Sequence, residues 1–150
     1  MLDPGTEAPD FELENQYGER VSLPDDGTVV VYFYPRADTP GCTTEACSFR
    51  DNWDDYRARD IRVFGVSDDP VTDLADFADK YDLPLDLLSD PDGSVAAAYD
   101  SYGEKPVFGN VVEGVYRNTY VVRDGEVVLA YEGVDPEEHA EEILEAVDGL

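Results

Sequence analysis

The strongest constraint on the fold is an unbroken run of β-branched and aromatic residues, VVVYFY, at positions 29–34. A run without any polar position predicts a β-strand that is buried on both faces, as the inner strands of parallel sheets are. Pro35 follows the run directly and ends the strand, because proline has no backbone N–H to donate to a sheet. Open α/β sheets bind ligands at the carboxyl ends of such strands, so the residues after Pro35 are candidates for a functional site.

The residues after this strand predict a helix that carries both cysteines of the chain. Thr39-Pro40-Gly41 is typical of a turn that leads into a helix, with Thr39 as N-cap and Pro40 at the first helical position. This register places Cys42 in the first turn, where unpaired N–H groups and the helix dipole favour a thiolate. Four residues continue one inward face of the same helix: Ala46, Phe49, Trp53 and Tyr56.

The spacing of the two cysteines predicts a conformational change. Cys47 follows Cys42 by five residues, and two Cα atoms at this spacing on a helix are roughly 8–9 Å apart. A disulfide requires about 4.4–6.8 Å between Cα atoms, so the first turns must unwind if the two residues pair. Gly41, Thr43 and Thr44 are poor helix formers and make that unwinding easier. The sequence thus predicts a redox-linked switch in this helix.

The same residues resemble the active site of a peroxiredoxin. The match is with the Q type, also called the bacterioferritin comigratory protein subfamily, in the pattern Pro35-x-x-x-Thr39-x-x-Cys42 with Glu45 and Cys47 after it. The resemblance covers nearly the whole chain, through separate blocks at residues 5–11 (GTEAPDF), 102–105 (YGEK) and 117–122 (RNTYVV). Tyr102 is a departure, because many family members have tryptophan there, and it affects the wall of the pocket rather than the central motif.

The resemblance implies roles for the two cysteines. Cys42 would be the peroxidatic nucleophile, whose thiolate attacks the peroxide O–O bond and becomes a sulfenic acid. Cys47 would be the resolving cysteine, which attacks that sulfenate and gives an intramolecular Cys42–Cys47 disulfide. The simpler interpretations are a small buried hydrophobic residue for Cys42 and a bystander on the helix for Cys47.

The resemblance also implies roles for four other residues. Thr39 would hydrogen-bond the peroxide and the sulfur, and Pro35 would shield the sulfur from water. Arg117 would stabilise the thiolate and the negative charge that develops on the leaving oxygen, with Glu45 orienting this arginine. Simpler interpretations stay open for three of them: Thr39 as a helix cap only, Arg117 as a partner of a surface carboxylate, and Glu45 as part of a solvated face.

The order of the remaining patterns predicts an α/β thioredoxin-like fold, with a central mixed sheet flanked by helices and an N-terminal β-hairpin extension. The predicted elements after the first helix are a buried strand at 61–67, a helix after Pro70, a strand at 83–89, a short helix at 92–99, a loop at 103–114, a hairpin around Asp124-Gly125 and a last helix from Pro136 to Val147. The hairpin before the first buried strand lies within residues 11–23. A single domain of residues 1–150 is expected from the length.

The charge of the chain is unusually negative. There are 36 acidic and 10 basic residues, for a net charge of −26. This charge disfavours nucleic acids and anionic membranes as partners, because both repel a polyanion. No secretory signal and no apolar run near 18 residues is present in the sequence, which predicts a cytoplasmic protein. Disorder is the other interpretation of such acidity, and the many strand and helix patterns argue against it.

These observations predict a thiol-dependent peroxidase that reduces hydrogen peroxide and organic hydroperoxides in antioxidant defence. The resemblance implies no metal, haem or flavin cofactor, recycling by thioredoxin or a similar dithiol, and a monomer, since both cysteines lie on one helix. A zinc site is disfavoured because only His139, on the last helix, could join the cysteines. A thiol–disulfide oxidoreductase would need C-x-x-C instead of the observed spacing. A redox sensor or holding chaperone remains the alternative.

The charge generates a prediction about salt. Self-repulsion destabilises the compact state at low ionic strength, whereas a Debye length of about 3 Å at about 1 M salt screens most of it. We therefore expect a protein adapted to a high-salt cytoplasm, whose melting temperature rises steeply along a KCl series from about 0.05 M to about 3 M. Equal melting temperatures at the two ends of the series would contradict this hypothesis.

Overall fold

The structure is a computed structural model that describes residues 1–107 and 109–150, apart from the side chains of residues 105–107 and 110–112. Lys105, in one block of the resemblance, therefore has its side chain outside the described part. The strands are β1 (Glu12–Asn15), β2 (Arg20–Ser22), β3 (Thr28–Phe33), β4 (Ile61–Ser67), β5 (Asp86–Ser89), β6 (Tyr102–Val107), β7 (Asn110–Val115), β8 (Thr119–Arg123) and β9 (Glu126–Tyr131). The helices are α1 (Pro40–Asp51), α2 (Trp53–Ala58), α3 (Val71–Tyr81), α4 (Ser94–Ala98) and α5 (His139–Asp148).

A seven-stranded mixed sheet forms the centre of the fold, in the order β2-β1-β5-β4-β3-β8-β9. Strands β3, β4 and β5 are parallel, while β8 and β9 on one side and β1 and β2 on the other pair antiparallel. This arrangement confirms the predicted α/β class with a mixed sheet and an N-terminal hairpin. Within the described residues, no helix is long and apolar enough to cross a membrane.

The predicted inner strand lies where the sequence indicated, between β4 and β8. Because side chains alternate along a strand, residues 29–34 contribute to two separate cores. Val30, Tyr32 and Tyr34 pack with α1, α2, α3 and α5 on one face. Val29, Val31 and Phe33 pack on the other face with α4 and the N-terminal segment. The cysteine-bearing helix therefore lies against the face that holds the two tyrosines.

Two predicted elements differ from the structure. The helix predicted to continue to residue 56 is interrupted at Asn52, whose side-chain Nδ2 and backbone N both donate to the carbonyl of Ser48. An asparagine can offer the backbone this alternative hydrogen bond, and the helix resumes as α2. The loop predicted at 103–114 instead contains the antiparallel pair β6 and β7, with Phe108 outside the described residues.

The second hairpin is confirmed, and the last helix starts later than predicted. Asp124 and Gly125 have φ of 52° and 81°, as a two-residue turn between antiparallel strands requires. The last helix starts at His139, three residues after the predicted position. Asp135 Oδ1 accepts a hydrogen bond from the backbone N–H of Glu137 at 3.0 Å, which stabilises a turn before the helix.

A buried hydrogen bond between α2 and α5 gives a test of this packing. Tyr56 is fully buried, and its hydroxyl donates to the carbonyl oxygen of Ala140 at 2.7 Å. We expect Tyr56→Phe to lower the free energy of unfolding by about 1 kcal/mol in urea denaturation, because a buried acceptor loses its partner. Tyr17→Phe, at a side chain that is 72% exposed, is the matched control. Equal losses in the two variants would contradict the assigned contact.

Candidate active site

The start of α1 holds Cys42 at the carboxyl end of β3. Thr39 has the extended backbone of an N-cap and Pro40 is the first residue of the helix, as the sequence predicted. The Thr39 hydroxyl, however, donates to the carbonyl of Arg36 at 2.9 Å and makes no capping hydrogen bond. Cys42 is buried, with 1% of its surface exposed, and its sulfur is a free thiol or thiolate. The helix start therefore positions this sulfur inside the protein.

Arg117 joins Cys42 to Glu45. Its Nη2 donates to Cys42 Sγ at 3.3 Å, and its Nη1 donates to Glu45 Oε1 at 3.0 Å. The pairing of β3 with β8, in which Tyr32 lies opposite Thr119, brings the arginine from 75 residues along the chain to the cysteine. The structure thus places three of the predicted site residues in direct contact and excludes the surface interpretations of Arg117 and Glu45.

Asn118, whose contacts the sequence did not indicate, fixes the backbone next to Arg117. Asn118 is buried, and its amide nitrogen lies 3.1 Å from Ser101 Oγ and 3.4 Å from the carbonyl of Asp100. Its amide oxygen accepts from the backbone N–H of Gly133 at 3.3 Å. These bonds link three loops at the base of the arginine. Asn118 belongs to the block at 117–122, but no spacing rule connects it to Ser101.

Gly41 leaves room for the guanidinium. A Cβ atom at this position would lie 3.0 Å from Arg117 Nη2, which is closer than ordinary van der Waals contact. The sequence predicted two roles for Gly41, as part of the turn before the helix and as a poor helix former. In the structure its missing side chain also allows the arginine to reach the cysteine.

Buried polar groups lie beneath this contact. Tyr32 stacks on Phe49 of α1 at 4.8 Å between ring centroids, and the ring of Tyr34 lies 5.5 Å from that of Tyr32. The Tyr32 hydroxyl and Glu45 Oε2 are buried and have no hydrogen-bond partner among the residues that the structure describes. Burial raises the pKa of Glu45 to about 7, although Arg117 acts in the opposite direction. The ionised form of Glu45 is therefore stabilised mainly by its contact with Arg117.

Cys47 lies on a different face of the same helix. It is half-buried, and burial raises the pKa of its thiol while the nearby Arg50 opposes that shift. Both cysteines belong to an unbroken helical segment, so the roughly 8–9 Å Cα spacing of a helix applies to them. A bond between their sulfurs requires α1 to change conformation.

A cavity of about 530 Å³ opens beside Arg117. Its lining includes Pro35, Tyr116 and Met1, with the carboxylate of Glu132 among the polar groups. The predicted shielding residue and the arginine thus share one concave surface, which is the usual form of a small-molecule site.

The residues considered for zinc are not grouped. His139 is buried between the rings of Phe49 and Tyr131, and its Nδ1 lies 3.1 Å from Glu142. Among residues 1–107 and 109–150, no group of three or more His, Cys, Asp or Glu side chains is placed to hold a metal ion.

Comparison with known proteins gives concordant matches. A family model described as the AhpC/TSA family matches residues 4–130. A putative peroxiredoxin of Mycobacterium tuberculosis is 47% identical over 141 residues, covering 92% of this chain and 90% of that protein. Peroxiredoxin Bcp of Bacillus subtilis is 36% identical, covering 99% and 97% of the two chains.

Solved structures match over the same length. The bacterioferritin comigratory protein of Xanthomonas campestris superposes with a TM-score of 0.90 at 32% identity, covering 98% of each chain. The peroxidoxin BcpB of Mycobacterium tuberculosis superposes with a TM-score of 0.88 at 34% identity, covering 100% of this chain and 99% of the other. The fold and the sequence therefore agree on one set of relatives.

The buried carboxyl of Glu45 generates a prediction about pH. Its pKa is about 7 in the folded state against an ordinary value of 4.5, so between these values the folded protein binds more protons than the unfolded chain. This contribution to stability is fully present below pH 4.5 and is lost as the pH rises through about 7. We expect wild type to lose stability relative to Glu45→Gln in urea denaturations from pH 5 to 8.

The exposed Glu141 of α5 provides the matched control, as Glu141→Gln. Its stability should follow wild type across the same pH series. Parallel curves for wild type and Glu45→Gln would show that Arg117, and not burial, controls the ionisation of Glu45.

Proposed function

The chain belongs to the AhpC/TSA family and to its peroxiredoxins, and from this membership we propose the catalytic cycle that its own side chains support. It is a thiol-dependent peroxidase, an oxidoreductase with peroxide as acceptor. The observation that carries the proposed cycle is the hydrogen bond of 3.3 Å from Arg117 to the buried sulfur of Cys42. A partly buried guanidinium stabilises negative charge on that sulfur more strongly than a fully solvated one would.

In the first step the Cys42 thiolate attacks one oxygen of a hydroperoxide, and the O–O bond breaks. The oxygen that is attacked stays on sulfur as a sulfenic acid, and the other leaves as water or an alcohol after it takes up a proton. Arg117 stabilises the charge that moves onto the leaving oxygen, and Glu45 holds Arg117 in place through their 3.0 Å contact. Pro35 limits water at the sulfur, and Thr39 donates to the peroxide after its hydroxyl turns from Arg36.

In the second step α1 unwinds and the Cys47 thiolate attacks the sulfenic sulfur of Cys42. The S–S bond forms, and the hydroxyl group leaves as water after protonation. An external dithiol, such as a thioredoxin-like protein, then reduces the disulfide and is itself oxidised. The spacing of the cysteines on one helix supports this cycle within a single chain, and hence a monomer.

The substrates and the setting belong to the same proposal. The Xanthomonas campestris protein is described with an alkyl peroxide reduction activity, which supports organic hydroperoxides beside hydrogen peroxide. The net charge of −26 supports a high-salt cytoplasm and argues against nucleic acid and membrane partners. Peroxidase turnover is favoured over a redox sensor or chaperone without turnover, because the named relatives are peroxiredoxins.

The experiment for this cycle is intact mass measurement in high salt after one equivalent of hydrogen peroxide, with and without alkylation of thiols. Wild type should lose about 2 Da and retain no alkylatable thiol, because one disulfide forms. Cys47→Ser should gain about 16 Da as a sulfenic acid and should not be recycled by thioredoxin. Cys42→Ser should stay unmodified and show no turnover.

Two outcomes would contradict the proposal in different ways. Two free thiols in wild type after peroxide would exclude Cys42 as the peroxide nucleophile. Full cycling of Cys47→Ser with thioredoxin would exclude Cys47 as the resolving residue.

A further inference from the structure

Both ends of the cysteine-bearing helix are bonded to one residue outside it. Tyr81, the last residue of α3, donates its hydroxyl to Asp38 Oδ1 at 2.8 Å, directly before the N-cap Thr39. The backbone carbonyl of the same tyrosine accepts from Nη1 of Arg50 at 2.7 Å, in the last turn of α1. Tyr81 thus contacts both sides of the segment that contains Cys42 and Cys47, through its hydroxyl on one side and its backbone carbonyl on the other.

The Asp38 end of this connection is reinforced by charge. Lys80 Nζ lies 2.9 Å from Asp38 Oδ2, so neighbouring residues of α3 bind both carboxylate oxygens. The two hydrogen bonds lower the pKa of Asp38 and favour its ionised form. Lysine is scarce in this chain, with Lys80 and Lys105 as its two examples. The exposed ion pair alone would contribute little, and the tyrosine hydroxyl gives the contact its geometry.

Tyr81 is itself held by the core. Its ring packs edge-to-face on Phe77 at 5.6 Å, and Phe77 and Leu74 are buried against the central sheet. Asp38 has a φ of 58°, in the left-handed region, which directs the chain from the strand end into the helix. The two hydrogen bonds of Tyr81 therefore attach the turn at Asp38 and the end of α1 at Arg50 to the well-packed helix α3.

We propose that Tyr81 is a positioning residue that keeps α1 folded around Cys42 and slows formation of the Cys42–Cys47 disulfide. This inference rests on the roles proposed above for the two cysteines. Unwinding of the first turns moves the Asp38 end of α1 relative to its Arg50 end, and both ends are bonded to Tyr81. Under this proposal, one of these bonds opens as the first turns unwind and the sulfurs approach each other.

The consequence is a longer-lived sulfenic acid at Cys42. While α1 stays folded, a second hydroperoxide can transfer an oxygen to the sulfenate, giving a sulfinic acid and releasing water or an alcohol. The contact thus sets the balance between disulfide formation and overoxidation. Peroxide reacts with Cys42 in the folded form, so the first step does not require the contact to open.

The test compares wild type, Tyr81→Phe and the matched control Tyr17→Phe. We expect Tyr81→Phe to accelerate disulfide formation about three- to tenfold in stopped-flow measurements, because one hydrogen bond resisting the change is lost. The rate constant for reaction with hydrogen peroxide should stay within about twofold of wild type, since the folded form still predominates. The sulfinic product, about 32 Da heavier, should decrease at high peroxide. Tyr17→Phe should match wild type throughout.

Amide hydrogen exchange of residues 40–51 in the reduced protein tests the contact without any peroxide chemistry. Exchange of these amides should be faster in Tyr81→Phe. It should also be faster in Asp38→Gly, which removes both carboxylate oxygens and readily adopts the φ of 58° found at this position. This second variant tests the contact if Tyr81→Phe folds poorly. Unchanged exchange together with an unchanged disulfide rate would overturn the inference while leaving the peroxidase cycle intact. Faster exchange together with two free thiols in wild type after peroxide would support the contact and overturn the proposed cycle.

Discussion

The structure depends on the placement of one partly buried guanidinium, that of Arg117 between the sulfur of Cys42 and the carboxyl group of Glu45. A buried charge is costly unless it is paired and hydrogen-bonded, and here both partners come from the first turns of one helix. The pairing of β3 with β8 brings the arginine there, and Asn118 holds the backbone from which it projects. Gly41 completes the arrangement by leaving the space that the guanidinium occupies.

The helix that carries this site is stabilised by several contacts, while its first turn contains residues that favour unwinding. Phe49 stacks on Tyr32 of the central strand, and Tyr81 is bonded near both ends of the helix. The first turn of the helix, in contrast, contains poor helix formers, and the helix ends at Asn52. The helix therefore holds Cys42 in a buried position, while the composition of its first turn favours the unwinding that a Cys42–Cys47 disulfide would require.

Much of the fold could be predicted because its signals are local. The run at 29–34 has a composition that suits only a strand with both faces covered, and Asp124-Gly125 suits a tight hairpin turn. The two failures were local as well, because nearby residues offered hydrogen bonds that the pattern did not predict. Asn52 interrupts a helix whose apolar period continues beyond it, and residues 103–114 contain paired strands despite their glycines. Periodicity does not report which of two competing backbone hydrogen bonds forms.

The sequence by itself determined the chemistry of the site: a cysteine at a helix start, a second one five residues later, and a spacing that requires unwinding before they pair. It also determined the central strand and the charge of −26. Only the tertiary structure decided that Arg117 reaches Cys42, that Glu45 is buried beside it, and that Tyr81 is bonded to both Asp38 and Arg50. The physical reason is that helix starts and strands follow from neighbouring residues, whereas these contacts join side chains that are distant in sequence and meet through sheet pairing and helix packing.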